Sequence, residues 1–284
     1  MTKFQVFQAA VLAVILLFVF LVVEGWHEAQ SDPIVRRVTI AMRGVPTGTR
    51  PLRVVLISDI HVGNHAMSAA RFDRIIAQVN AQHPDTVWIA GDLVNGLGVK
   101  SSDFHPEMLS LPLSRLRAPL GVFAVLGNHD DDTSPALVDA ALHKAGITVL
   151  HDQVVRVGPI ALIGENIRLP LSPPIPALVK QARKLGGMRV LMLHPPPYWG
   201  AISHEIPVIL AGHSHCGQIV FPGFDNSYDY FHGNWRYPPK TRCGMVRFDK
   251  HLEIITGGVG AATVVPLRIN APPDFWVITF VGQP

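Results

Sequence analysis

Five apolar runs in this chain each stop at a residue that can ionise or donate a lone pair. Val54–Ser58 is followed by Asp59-Ile60-His61, Thr86–Ala90 by Gly91-Asp92, and Val122–Leu126 by Gly127-Asn128-His129-Asp130. Arg189–Leu193 runs into His194, and Val208–Ala211 into Gly212-His213-Ser214-His215. Runs this short and this continuously apolar are the pattern of strands covered on both faces of their sheet. Between them, Phe72, Ile75, Ile76 and Val79 recur at helical spacing behind Ser68, a good N-cap, and Pro135–Ala145 reads as a helix closed by Gly146. Ile160–Gly164 is a further strand. Past residue 217 the expected strands Gln218–Phe221, Gly244–Phe248, Leu252–Thr256 and Phe275–Val281 follow without long helices between them. This order predicts an α/β fold of two facing mixed β-sheets flanked by helices. A length of 284 residues at 48% apolar composition suffices for one large core.

In layered α/β proteins, loops beyond strand C-termini build sites. Here they carry carboxylates, imidazoles and one amide, a donor set suited to divalent Mn, Fe or Zn. His213 and His215 flank a single residue, so on an extended chain both imidazoles point to one face. The donors outnumber what one tetrahedral ion needs, and two ions sharing a bridging carboxylate account for them. Each fragment alone is weak: Gly-Asp after a strand is commonly only a turn. The ordered set, with every member in the same context, is the signal.

The order D-x-H, G-D, G-N-H-[DE], H, G-H-x-H resembles the calcineurin-like metallophosphoesterase superfamily, from Asp59 to His215. GHSHCGQI and the later GVGAATVVPLRINAPP resemble its YkuE/YaeI-like membrane-associated branch, although Gly258 to Thr263 lacks the serine usual there. The resemblance implies a four-layer metallophosphoesterase fold and two divalent ions. It places one ion on Asp59, His61 and His215 and the other on Asn128, His194 and His213, with Asp92 bridging. His129 is implied to face the substrate phosphate without binding metal, stabilising charge or protonating the leaving oxygen. Asp130 would orient His129, or is a solvent-facing or capping residue. The implied reaction is phosphoester hydrolysis by in-line attack of a hydroxide bridging the ions, on a phosphodiester. Two alternatives accompany it: a UDP-diacylglucosamine pyrophosphohydrolase of lipid A synthesis, which would act on the cytoplasmic side, and a non-catalytic binding scaffold on the same fold.

Phe4–Val23 is an apolar run of bilayer length, broken only by Gln5 and Gln8, and no convincing cleavage site follows it. It predicts an uncleaved single-pass anchor in the cell (inner) membrane, with Trp26 at the interface. Lys3 and the α-amino group favour a cytoplasmic N-terminus and an extracytoplasmic catalytic domain, against the pull of Arg36 and Arg37. Residues 24–50 read as a juxtamembrane linker plus one edge strand on which Val38, Ile40 and Met42 alternate. The chain therefore divides into an anchor with its juxtamembrane segment, 1–30, and a metallophosphoesterase domain, 31–284. A net charge of +3 without Lys/Arg clusters gives no case for nucleic acid; the expected partners are the membrane and a phosphoester substrate derived from lipid or cell wall. A disulfide between Cys216 and Cys243 is possible but no framework indicates it, and Cys216 reads as a small half-buried thiol. His65, close to the first motif, is a minor candidate for the site. His83, His105, His143 and His151 read as surface residues. Asp225–Pro239, rich in aromatics, reads equally as a lid or a surface loop, and Arg268 as a phosphate contact or a plain surface cation.

Overall fold

The strands that end in candidate ligand residues owe their continuous apolarity to burial between layers. A computed structural model describes residues 1–96, 104–165, 175–197, 203–221, 242–248, 250–262 and 266–283. One six-stranded sheet has the order β1 (Ile34–Arg43), β12 (Asp274–Gln283), β2 (Leu52–Ile57), β3 (Thr86–Ala90), β4 (Val122–Val125), β5 (Thr148–Val149). The other runs β10 (Gly244–Phe248), β11 (His251–Ile255), β9 (Val208–Ala211), β8 (Met188–Met192), β7 (Ile160–Gly164), β6 (Gln153–Val157). In β2, Val55 and Ile57 face α2 (Ala69–Asn80), α3 (Glu107–Leu113) and α5 (Pro135–Lys144), while Val54 and Leu56 face the second sheet. In β3, Val87 and Ile89 alternate in the same way with Trp88 and Ala90. The far face of the second sheet buries Leu191, Ile209 and Ile255 against α6 (Ile175–Leu185). Period-two alternation between two apolar layers leaves no polar position along Val54–Ile57 or Val87–Ala90. The result is the expected four layers, helix–sheet–sheet–helix.

Several expectations are corrected. Gln218–Phe221 is not a strand: Gln218 has φ 47° after a single 3-10 turn, His215–Gly217, and Ile219 makes an isolated bridge to Ile269. Cys216 is not a free thiol but is joined to Cys243 by a disulfide. Residues 24–30 are not linker; they continue α1 (Lys3–Gln30), which Thr2 and Gln5 open with a reciprocal capping box. The expected edge strand is present as β1 and extends from Ile34 to Arg43. Asp225–Pro239 lies outside the described residues.

α1 is apolar and long enough to cross a membrane, about 42 Å for its 28 residues. Its residues Lys3–Phe20 stand exposed, whereas Gly25 and Ala29 are buried. Gly25 permits a close approach: a Cβ there would lie 3.2 Å from Ile269 Cγ1 and 3.3 Å from the Arg268 carbonyl. The Arg268 amide donates to the Gly25 carbonyl at 2.9 Å, and the Glu28 carboxylate accepts from the Asn270 and Ala271 amides at 3.0 and 3.1 Å. Ala29 packs on Ala66 and Ala261. Arg71 of α2 ties the junction by donating to the Gln30, Ser31 and Val259 carbonyls at 3.0, 2.8 and 2.7 Å.

Candidate metal centre

Two ligand groups meet at the C-terminal edge of the parallel strands. Asp59 and His61 follow β2, Asp92 follows β3, His194 follows β8, and His213 and His215 follow β9. His61 Nε2 lies 3.1 Å from His215 Nε2, and His215 Nε2 lies 3.3 Å from Asp59 Oδ1. In the second group His194 Nε2 lies 2.9 Å from Asp92 Oδ2 and 3.2 Å from His213 Nδ1. Asp92 Oδ2 is also 3.8 Å from His61 Nε2 and 3.9 Å from His129 Nε2, so it stands between the groups. Asn128 and His129 open α4 (Asn128–Thr133), and the His129 amide donates to Asp92 Oδ1 at 2.9 Å.

Local backbone geometry aims these side chains. Asp59 and His61 have φ 52°, Asp92 53°, His213 70° and His215 48°, all in the left-handed region. Asp and His enter that region more readily than most side chains, yet each such residue still costs about 1–3 kcal/mol. Gly212 is needed because a Cβ there would fall 2.5 Å from Asp59 Oδ2. Supporting bonds fix the ligands: the His213 amide donates to Asp59 Oδ1 and Oδ2 at 3.2 and 3.1 Å, and Ser58 Oγ donates to Asp59 Oδ2. His194 Nδ1 bonds the Ala90 carbonyl at 2.7 Å, which turns Nε2 toward Asp92.

The charge pattern suits cations. Burial pushes the Asp92 carboxyl up, but the charge and hydrogen bond of His194, with His61 and His129, outweigh it and hold Asp92 well below the usual carboxylate range. Burial alone would lower His194; Asp92 and Asp59 reverse the sign and raise it to about 9. Burial lowers His61 and His213 to about 3, and burial together with His61 and Arg268 holds His215 well below its usual value. Burial raises Asp59 to about 6 against the pull of His194. The centre thus offers an ionised carboxylate among largely neutral imidazoles, and its one proton-rich imidazole balances Asp92. Among the described residues, Asn128 Oδ1, His61 Nδ1 and His129 Nδ1 are buried without a hydrogen-bond partner. An orphaned amide oxygen beside a donor cluster of this kind fits two divalent ions.

Other candidates fall outside the cluster. Asp130 does not orient His129: its Oδ1 accepts from the Leu93 and Val94 amides and its Oδ2 from Gly127, so it caps α4 and ties it to the loop after β3. Arg268 is neither a surface cation nor a phosphate contact. It is fully buried, donates to the Gly257, Gly260 and Ala271 carbonyls, and approaches His215 Nδ1 at 3.0 Å. His65, His83, His105, His143 and His151 are exposed. Sequence reasoning missed Ser58 and the bracing role of Arg268, for which no local motif gives a signal.

Glu165, just past β7, is pushed up to about 7 by burial and by the charge of Asp152. A raised carboxyl favours the fold while protonated, so its contribution is present below the unfolded value of 4.5 and is lost as pH rises through about 7. Glu165→Gln is expected to melt progressively higher than the parent between about pH 5 and about pH 8, as thermal unfolding at a series of pH values will report.

Residues 52–217 match the family model described as calcineurin-like phosphoesterase. An uncharacterized metallophosphoesterase of Helicobacter pylori is 28% identical over 88% of this chain and 64% of its own length. A transmembrane protein with metallophosphoesterase domain from Danio rerio is 29% identical over 93% of this chain and 60% of its own. The chain thus spans less than two thirds of these relatives. Among solved structures, the protein TT1561 of Thermus thermophilus superposes with a TM-score of 0.45 at 13% identity, covering 74% of this chain and 91% of that one.

Proposed function

Because the chain belongs to the calcineurin-like phosphoesterase family, whose model covers Leu52 to Gly217, we propose that it is a membrane-anchored, dinuclear metal-dependent phosphodiesterase of the YkuE/YaeI-like branch. The fold and its clustered metal-ligating residues make it a metal-dependent hydrolase. The observation that carries the dinuclear reading is Asp92, which stands within reach of both ligand groups. Asp59, His61 and His215 would hold one Mn, Fe or Zn ion, Asn128, His194 and His213 the other, and Asp92 both. When bound, such a pair supplies hydroxide at neutral pH and offsets the negative charge of the phosphate.

The chain's own residues do the rest. Asp92 and Asp59 fix the spacing of the two ligand groups, and the bond from Ala90 keeps His194 in the tautomer that presents Nε2. His129 stands at the rim beside Asp92, 8% exposed, where it can pass a proton to the leaving oxygen. In this reading residues 1–30 are the anchor and 31–284 the catalytic domain. The Cys216–Cys243 disulfide supports an extracytoplasmic domain, since such bonds persist in oxidising compartments. It weighs against the cytoplasmic UDP-diacylglucosamine reaction and toward a phosphodiester from lipid or cell wall.

The test is hydrolysis by the full chain in detergent with Mn²⁺, using bis(p-nitrophenyl) phosphate beside p-nitrophenyl phosphate. Diester turnover that disappears on chelation is the expected result, and on an alkyl phosphodiester, whose leaving oxygen needs a proton, turnover falls by about 10²–10⁴-fold in His129→Ala with metal stoichiometry unchanged. Metal binding without turnover of either compound would sink the reading.

A further inference from the structure

The topology decides which way the metal centre faces. β1 pairs parallel with β12, and β12 pairs antiparallel with β2, so β1 runs opposite to β2. Arg36 is level with Trp276, and Trp276 with Leu56, so β1 begins at the edge where β2 ends in Asp59. Only Ser31, Asp32 and Pro33 separate that start from α1. The anchor therefore enters the domain at the metal edge. The opposite edge carries Val45, Gly187 and His204.

The junction is not a loose tether. The last turns of α1 seat Gly25 and Ala29 on the loops that follow β2 and β11, and Glu28 caps the Asn270 and Ala271 amides. Arg268, whose amide bonds Gly25, extends its side chain to His215. One arginine side chain thus separates the emerging helix from a ligand of the centre. The apolar run ends at Val23, two residues and about 3 Å of helix before Gly25. A helix exposed along its apolar length and clasped at this edge turns the metal edge, not the distal one, toward the bilayer.

Resting on the phosphodiesterase reading above, we infer that the substrate is a phosphodiester borne by a lipid headgroup in the same membrane, cleaved at the bilayer surface. Water's oxygen bonds to phosphorus as one ester P–O bond breaks. One proton of the water passes to the departing oxygen, which leaves as an alcohol, and a phosphate monoester carries the remaining charge. No redox partner is required.

The chemistry is shared by lipid-borne and water-soluble diesters, so the experiment separates the two sources. The full chain is reconstituted with Mn²⁺ into phosphatidylcholine vesicles containing a diacylglycerol p-nitrophenyl phosphodiester, and is assayed in parallel on soluble bis(p-nitrophenyl) phosphate. Its partner variant carries seven polar helix-forming residues inserted between Val23 and Glu24. Two added turns lift the clasped domain about 10 Å off the bilayer while nearly keeping the helix face. We expect the parent to cleave both substrates, and the insertion to lower turnover of the lipid-borne diester at least tenfold while soluble turnover stays within twofold. Soluble turnover in the same preparation also certifies folding and metal loading. Lipid turnover that survives the insertion would overturn the inference, as would a parent that cleaves only the soluble diester; in both cases the phosphodiesterase reading stands. A metal-loaded parent that cleaves neither removes that reading and this inference with it.

Discussion

Asp92→Asn is expected to lower diester hydrolysis by on the order of 10³-fold or more, the largest activity loss of any single substitution in the centre. The carboxylate stands 2.9 Å from His194 and 3.8 Å from His61, members of different ligand groups. Asparagine keeps the shape and one oxygen but brings no charge to either ion position. It also leaves His194 without the neighbour that raises its imidazole to about 9, so the proton balance of the centre shifts with the charge. Removing one member of an electrostatic clamp on a phosphoryl group costs about 10²–10³-fold, and this residue serves two positions at once. Metal analysis of the purified variant distinguishes the cause: fewer than two ions per chain is the expected result. Full stoichiometry with intact turnover would show that Asp92 does not bridge.

Arg268→Leu is expected to produce the largest loss of stability, about 3–5 kcal/mol, because it removes the donor from three buried carbonyls at once. Gly257, Gly260 and Ala271 each accept from this guanidinium, at 2.7, 2.9 and 2.7 Å, and leucine offers none of them a partner. For a domain of this size the melting temperature should fall by on the order of 10 °C. Because Arg268 also touches His215, the variant is expected to bind metal more weakly even below its transition. Calorimetry of the metal-free protein beside metal titration separates the two losses. An unchanged melting temperature would mean that water replaces the guanidinium without cost.

Much of this architecture was legible in the chain, for a specific reason. Thr86–Ala90, Ile160–Gly164, Val208–Ala211 and Gly244–Phe248 occupy the strands expected of them. Three of these are buried along their whole length, and in them the change from apolar to polar residues coincides with the end of the strand. The clustering of Asp59, His61, Asp92, His194, His213 and His215 was legible for the same reason, each standing just beyond the end of an apolar strand. α3 went unassigned because Pro112 lies inside it and Pro106 before it. α6 has apolar residues at helical spacing, Ile175, Leu178, Val179 and Ala182, but follows a proline-rich stretch that reads as a break. The roles of Arg268 and Asp130 were hidden because their partners are mostly main-chain groups, which leave no mark in a sequence. The disulfide was hidden because two cysteines 27 positions apart become neighbours only through the fold.

That disulfide has a consequence for how such a protein can diversify. It fastens the chain immediately after His215 to the residue before β10, so both ends of the intervening segment are pinned beside the metal edge. Loop-closure entropy rises only slowly with length, and insertions between fixed ends are tolerated far better than insertions in a strand. His213 and His215 are thereby held from both sides, by β9 before them and by the disulfide after them, whatever sequence evolution writes between Cys216 and Cys243.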